Sequence, residues 1–212
     1  MEFHFQFNSY RLFFKALFFS FFTLFFHTLH AQTTWELKKD KNGIRVYIMD
    51  KDSSKFKRVK VECEVNGTLA KLDSILQAVE NNKNWVYSTK TSHRVKTIND
   101  KEFLYYAETS MPWPLENRDV VIHMWLNYDS IQNMLFVTAR GEPNAIPKKE
   151  NKVRLPYFYG RYEATQKANN RLGIVYYLEL DPGGSTSPWL VNLFVAKGPY
   201  ETFHNLSEML GK

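Results

Sequence analysis

Alternating apolar and polar residues predict strands over most of this chain. The first run is Ile44–Met49, and the second, Phe56–Val65, carries Val59, Val61 and Cys63 on one side. Because successive side chains of a strand point to opposite faces, this period of two indicates strands with one buried face. The same pattern predicts six further strands, at Thr91–Ile98, Glu102–Ser110, Arg118–Tyr128, Met134–Glu142, Tyr159–Ala168 and Gly173–Leu180. Short turns between them favour antiparallel hairpins.

Two helices are predicted from a period of three to four residues. Thr68, a residue type that caps helices, precedes an apolar series made of Leu69, Leu72, Ile75, Leu76 and Val79. The second helix runs from Pro188 to Leu210 and contains Gly198-Pro199. Because proline removes a backbone hydrogen bond, this pair must bend the helix or divide it. The order of elements predicts an α+β domain with helices on one face of an antiparallel sheet.

Four segments, taken in order, carry a family resemblance. They are Trp35 with Gly43–Tyr47, then Pro112–Asp119, Asp181–Asn192 and Gly198-Pro199. Together they resemble the START (StAR-related lipid-transfer) family, from about Trp35 to Leu210. The resemblance implies a helix-grip fold, in which a curved antiparallel sheet wraps around a long C-terminal helix over an internal hydrophobic tunnel. It also implies one bound lipid or other hydrophobic small molecule, no reaction chemistry and no cofactor.

The N-terminus has the layout of a secretory signal peptide. Arg11 and Lys15 precede an uncharged run, Ala16–Phe26, and Ala31 offers a cleavage site. A membrane anchor is the less favoured alternative, because a span needs roughly 20 apolar residues. We therefore expect residues 1–31 to be removed and residues 32–212 to form one exported START-like lipid-binding domain, periplasmic or secreted. START domains of full length carry a helix ahead of the first strand, and here only a stub near Trp35 would remain.

Composition and charge narrow the classes of partner. The chain has 28 Lys and Arg against 22 Asp and Glu, a net charge of +6. This mild excess would favour transient contact with an anionic membrane surface, although a solvated surface is the commoner explanation. No arginine-rich run points to nucleic acid. Cys63 is the only cysteine, so no intrachain disulfide forms, and an aromatic content of 16% supplies apolar mass for a core. We expect a monomer.

Sequence motifs of catalysis are absent. The chain contains no glycine-rich phosphate loop, nucleophile elbow, HExxH pattern or paired-cysteine motif. The histidines beyond the N-terminal segment, His93, His123 and His204, are far apart in sequence, so we expect no catalytic site and no metal site. Two alternatives stay open, a helix-grip enzyme of cyclase or hydrolase type and a ligand-free interaction module.

Arg118 and Glu108 form the predicted polar end of the tunnel. Arg118 begins an apolar strand directly after a proline-fixed turn, so its side chain is expected to be partly buried. It then needs a partner, because leaving a buried charge without one costs about 3–5 kcal/mol. Glu108, on the preceding strand, is the expected partner. The pair would either anchor a ligand headgroup or serve as a structural ion pair.

The predicted tunnel lining is otherwise apolar or aromatic, and it consists of Tyr106, Val120, Ile122, Met124, Phe136, Tyr177, Leu190 and Phe194. Periodicity fits a packed core as well as a hollow one, so only the family resemblance argues for a cavity. The Gly198-Pro199 helix and the loop from Pro143 to Pro156 are the expected gates.

Overall fold

An antiparallel sheet with helices packed against it makes up the described part of the protein. The computed structural model describes residues 34–50, 57–184 and 193–211. The strands in these residues are β1 Glu36–Lys41, β2 Ile44–Asp50, β3 Lys57–Asn66, β4 Thr89–Asn99, β5 Glu102–Thr109, β6 Asn117–Asp129, β7 Met134–Gly141, β8 Lys152–Arg154, β9 Tyr157–Lys167 and β10 Arg171–Asp181. The helices are α1 Leu69–Gln77, a 3₁₀ helix Val79–Asn84, a π-helical turn Leu193–Lys197 and α2 Gly198–Gly211.

The sheet places β1 and β4 at its two edges. Its strand order is β1-β2-β3-β10-β9-β7-β6-β5-β4, and β8 pairs with β6. Every neighbouring pair on the main path is antiparallel, whereas β8 runs parallel to β6. The chain crosses from β3 to β4 through α1 and the 3₁₀ helix. The predicted α+β class is confirmed, and each predicted strand is present with small shifts at its ends.

Helix α1 forms where its apolar period predicted it. The Thr68 hydroxyl accepts a hydrogen bond from the Lys71 amide at 3.2 Å and so caps the first turn. The Gln166 side chain on β9 accepts a second one from the Leu69 amide at 3.0 Å. The buried residues of the helix, Leu69, Leu72, Ile75 and Leu76, lie on one side of it. This side lets α1 pack on β7 and β9.

Helix α2 packs against the other end of the sheet, on β2 and β3. It buries Phe203, Leu206 and Leu210. The Gly198-Pro199 pair lies where the π-helical turn changes into α2, so the irregularity expected there falls at a change of helical geometry. Leu190 lies outside the described residues. Within the described parts of the chain, no helix is long and apolar enough to cross a membrane.

Two strands were not predicted, and both form through pairing rather than through an apolar pattern. Strand β1, Glu36–Lys41, is polar and almost fully exposed, and it pairs antiparallel with β2 at the sheet edge. The expected stub near Trp35 is therefore an edge strand. Strand β8 is three residues long, too short for a period of two to show, and it fixes part of the 143–156 loop beside β6.

Candidate ligand cavity

A cavity of about 170 Å³ lies between the inner face of the sheet and helix α2. The strand residues that line it alternate with outward-facing ones, as a period of two requires. From the sheet come Tyr105, Ala107, Thr109, Val120, Ile122, Met124, Ala139, Phe158, Tyr162, Tyr176, Leu178 and Leu180. The segment from α1 to β4 contributes Leu76, Asn82, Trp85, Val86, Tyr87 and Thr89, and the α2 region contributes Gly198, Pro199, Thr202 and Phe203. Leu155 completes the wall.

Aromatic side chains join the sheet to helix α2 at the cavity. The ring centroids of Tyr162 and Tyr176 are 4.3 Å apart, and the ring of Phe203 on α2 lies 5.3 Å from that of Tyr176. Burial raises the pKa of the phenols of Tyr105, Tyr162 and Tyr176 well above its ordinary value. These three phenols therefore stay protonated and neutral at physiological pH.

The described lining carries no Asp, Glu, Lys, Arg or His side chain. Its polar side-chain groups are one amide, three hydroxyls, four phenols and one indole. Throughout the parts of the chain that the structure describes, no three His, Cys, Asp or Glu side chains cluster as metal ligands would. A concave, mostly apolar wall with a few polar groups is the usual form of a site that binds a small molecule.

Three of the predicted lining residues, Val120, Ile122 and Met124, lie in the cavity wall on β6. Their contact with a ligand stays a prediction. So does the lining role of Leu190, which is outside the described residues, and of Phe194, whose backbone is in the π-helical turn but whose side chain is not described.

The predicted lining positions of Tyr106, Phe136 and Tyr177 are wrong, because each side chain lies on the outer face of the sheet. The β5–β6 register pairs Tyr105 with Ile122, so Tyr105 and not Tyr106 faces inward. Tyr106 packs instead against His93 of β4, with ring centroids 5.0 Å apart. Phe136 alternates with the buried, inward-facing residues of β7 and lies near Arg161.

Tyr177 shares an outer groove with Trp35, and their ring centroids are 6.3 Å apart. The structure therefore separates the six predicted apolar and aromatic residues that lie on described strands by face of the sheet. Within any one strand, the inward-facing positions follow once a single position is fixed.

The predicted ion pair between Arg118 and Glu108 is also wrong. The register pairs Glu108 with Asp119 and Thr109 with Arg118, which puts the two side chains on opposite faces of the sheet. Glu108 instead contacts the ammonium groups of Lys152 at 3.0 Å and Lys90 at 3.3 Å. The amide of Asn117 donates to the same carboxylate oxygen at 2.7 Å.

The guanidinium of Arg118 is held by backbone carbonyls rather than by a carboxylate. It donates to the carbonyl of Glu116 at 2.6 Å and to that of Pro182 at 3.4 Å. Burial lowers the pKa of Arg118, while the nearby Glu116 carboxylate acts in the opposite direction. Arg118 is on the cavity side of the sheet but is not part of the described lining. It fastens the start of β6 to the turn after β10.

A buried ion pair between Asp119 and Arg154 was missed by the sequence analysis. The two guanidinium nitrogens Nε and Nη2 lie 2.8 and 3.0 Å from the two carboxylate oxygens. The side chains are 1% and 2% exposed. Arg154 also donates to the carbonyls of Pro143 at 2.7 Å and Ile146 at 3.3 Å. The pair therefore ties the 143–156 loop to the start of β6.

Other cavity residues were missed for two different reasons. Tyr105 could have been found from the register, because the spacing of the β5–β6 hairpin decides which of two adjacent tyrosines faces inward. Asn82 and Trp85 follow α1 in a segment without apolar period, and no sequence signal marked them. Both lie in the wall because the 3₁₀ helix, which ends just before Trp85, packs against β4.

Comparison with known proteins identifies relatives over most of the chain. The family model of the START domain matches residues 27–212. An uncharacterized protein of Pseudomonas aeruginosa is 27% identical over 172 residues, which are 81% of this chain and 84% of that protein. The phosphatidylcholine transfer protein of Mus musculus is 25% identical over 175 residues, 77% of this chain and 78% of that protein.

Solved structures share the architecture. A fragment of the STAR-related lipid transfer protein from Xanthomonas axonopodis superposes with a TM-score of 0.77 at 27% identity, covering 84% of this chain and 99% of that one. Human StAR-related lipid transfer protein 5 gives 0.71 at 17% identity, covering 92% and 93%, and at this identity it shows the fold alone. The predicted helix-grip fold is confirmed.

Proposed function

Because this chain belongs to the START domain family, we propose that it encloses one lipid or other hydrophobic small molecule in its cavity and carries that molecule through water. The observation that carries this proposal is the cavity between the sheet and α2, whose described lining is apolar and uncharged. The relatives whose names refer to lipid transfer also support this proposal.

The mechanism of binding is burial of the ligand away from water. Moving a lipid chain from a bilayer to an apolar cavity changes its hydrophobic free energy little, because both surroundings are apolar. Loading and release can therefore both occur without an energy source. Selectivity must come from the polar groups of the wall and from the size of the cavity.

We propose that the ligand enters by a movement of α2. Gly198 and Pro199 line the cavity at the junction between the π-helical turn and α2, where regular backbone hydrogen bonding is interrupted. Two hydrogen bonds close α2 over the opening: the Tyr87 amide donates to the Thr202 hydroxyl at 3.0 Å, and the Asn205 amide donates to the Trp85 carbonyl at 3.2 Å. The other expected gate, the 143–156 loop, is tied down by Arg154.

The two alternatives have less support. An enzyme of this fold would need acid or base groups at the ligand, whereas the titratable side chains in the described lining are tyrosines, and burial raises the pKa of three of them further from neutrality. A ligand-free interaction module would have a filled interior, whereas this one contains a cavity. We therefore favour a carrier over both.

We also propose that the protein is exported and acts in the periplasm or outside the cell. The support is the sequence of residues 1–31, which lie outside the described residues. N-terminal sequencing of the protein from its own cells should find Gln32 first. An intact Met1 in a carbonate-resistant membrane fraction would instead show an anchor.

A vesicle assay tests the proposed transfer. Donor vesicles carry a fluorescent fatty alcohol, sterol or phosphatidylcholine together with a non-exchangeable quencher, and acceptor vesicles carry neither. The purified protein should accelerate the fluorescence rise for at least one of the three, in proportion to its concentration. A rate equal to that of a protein-free control for all three would contradict the proposal.

A further inference from the structure

Two buried polar atoms in the cavity wall have no hydrogen-bond partner among the residues that the structure describes. They are the side-chain oxygen Oδ1 of Asn82 and the indole nitrogen Nε1 of Trp85. Both residues line the cavity, and their exposed fractions are 7% and 3%. They belong to one short turn, in which the Trp85 amide donates to the Asn82 carbonyl at 3.1 Å. The same part of the wall thus offers one free acceptor and one free donor.

Such atoms call for an explanation, because the large majority of buried polar atoms in proteins are hydrogen-bonded. The Asn82 amide nitrogen donates to the Ser92 hydroxyl at 3.4 Å. A serine hydroxyl both donates and accepts, so the contact would survive a reversal of the amide. In either orientation one amide atom and the indole N–H are left for a molecule in the cavity; the free amide atom is the oxygen in the orientation described and an N–H in the reversed one, and a hydroxyl can pair with either.

A hydroxyl group has the hydrogen-bonding capacity that these two atoms require. Its oxygen can accept from the indole N–H, and its proton can be donated to the amide oxygen. A charged group does not fit, because the described lining has no side chain of opposite charge to meet it and a buried charge without a partner is costly.

Building on the proposed carrier function, we infer that the ligand is an uncharged amphiphile whose hydroxyl group is bound by Asn82 and Trp85. The apolar remainder of the ligand would contact the strands and α2. The cavity would then select neutral lipids that carry an alcohol over fatty acids and phosphate-bearing lipids.

Four probes that share one chain and differ at the end group test this inference: dodecanol, dodecane, dodecanoate and dodecyl phosphate. Binding to the purified full-length protein is measured by isothermal titration calorimetry at about pH 7.5, where the carboxylate is ionised. Dodecanol should bind at least about tenfold more tightly than either anion. It should also bind about fivefold more tightly than dodecane, which makes no hydrogen bond.

Two substitutions assign the preference to the named atoms. Asn82→Leu and Trp85→Phe each remove one polar atom and keep much of the apolar surface, so each should reduce the dodecanol-to-dodecane ratio toward one. Leu126→Met, a change of similar size at a buried position of β6 outside the described lining, should leave the ratio unchanged.

Several outcomes would overturn the inference. The first is that either anion binds as tightly as dodecanol. The second is that the preference for dodecanol persists in both variants, which would show that Asn82 and Trp85 do not bind the hydroxyl. The comparison of probes on the wild-type protein decides whether dodecanol is preferred over the anions, even where a variant fails to fold. Failure of all four probes to bind would contradict the carrier function itself, whereas binding without preference would contradict only the hydroxyl site.

Discussion

At the scale of single residues, the ion pair between Asp119 and Arg154 is the polar contact whose loss we expect to lower stability most. Both side chains are almost completely buried and joined by two hydrogen bonds. Arg154 also donates to three loop carbonyls, those of Pro143, Ile146 and Pro147. Removing either partner leaves an uncompensated charge in the protein interior. The loss of stability is therefore larger than for an exposed ion pair.

We therefore predict that Asp119→Asn and Arg154→Met each lower the free energy of unfolding by about 3–5 kcal/mol. In urea unfolding, the double variant should lose much less than the sum of the two. Arg118→Met and Glu108→Gln are the matched control, since these side chains lie on opposite faces and should couple by less than about 0.5 kcal/mol. Additive losses for Asp119 and Arg154 would contradict the buried pair.

Glu108 makes stability depend on pH in the acidic range. Burial by itself would raise the pKa of this carboxyl, but hydrogen bonds from Lys152, Asn117 and Lys90 outweigh it and hold the pKa below its ordinary value of about 4.5. A group whose pKa is lowered by folding stabilises the protein above its unfolded pKa. That contribution disappears as the pH falls through the lower, folded value.

The prediction is that Glu108→Gln destabilises the protein at neutral pH and that the difference from the parent shrinks as the pH falls below about 4.5. Urea unfolding of both proteins across this range measures it. A difference that is constant with pH would show that the carboxylate has no effect through its charge.

At the scale of elements, Gly67 controls how closely the end of α2 approaches the loop between β3 and α1. Its φ of +147° is a conformation that other residues rarely adopt, and an added Cβ would lie 3.1 Å from the Cβ of Leu210. Gly43 also has a positive φ, +73°, but an added Cβ there meets nothing within 4 Å. An alanine at position 43 therefore meets backbone strain alone, whereas an alanine at position 67 meets both backbone strain and crowding.

Gly67→Ala should therefore be the more damaging change. Gly43→Ala bears only backbone strain, about 1 kcal/mol, whereas Gly67→Ala adds overpacking of about 1–3 kcal/mol. Thermal unfolding of the two variants compares them directly. Equal decreases in Tm would show that α2 does not press on this loop.

Elements with an apolar period could be predicted from sequence, and elements formed by pairing could not. Helix α1 and the long strands each bury one face, so their apolar residues recur with the period of a helix or a strand. Strand β1 buries almost nothing and β8 is three residues long, so neither leaves a pattern. The choice of Tyr106 over Tyr105 failed for a related reason, because hairpin register depends on the turn and not on the strand residues alone.

At the scale of the whole molecule, the sequence predicts the fold more fully than the site. The order of strands and helices and the family resemblance together indicate a sheet closed by a C-terminal helix. The sequence does not predict whether the interior is hollow, because Val120 and Ile122 fit the pattern of a packed core equally well. Asn82 and Trp85 become cavity residues only through the path of the chain after α1.

Two alanines of the inner sheet face distinguish a cavity from a packed core. Ala139 lines the cavity, whereas Ala164 is fully buried outside its described lining. In Ala139→Phe the added ring can occupy the space of the ligand, so the Tm should stay close to that of the parent. In Ala164→Phe the ring has no such space, and overpacking should cost about 1–3 kcal/mol.

Native mass spectrometry of the protein purified from its own cells, alongside Ala139→Phe, tests the central claim most directly. We predict one bound hydrophobic molecule per chain in the parent and none in the folded Ala139→Phe variant. A parent protein that carries no ligand and takes up none from a total lipid extract, or a variant that binds as well as the parent, would contradict it.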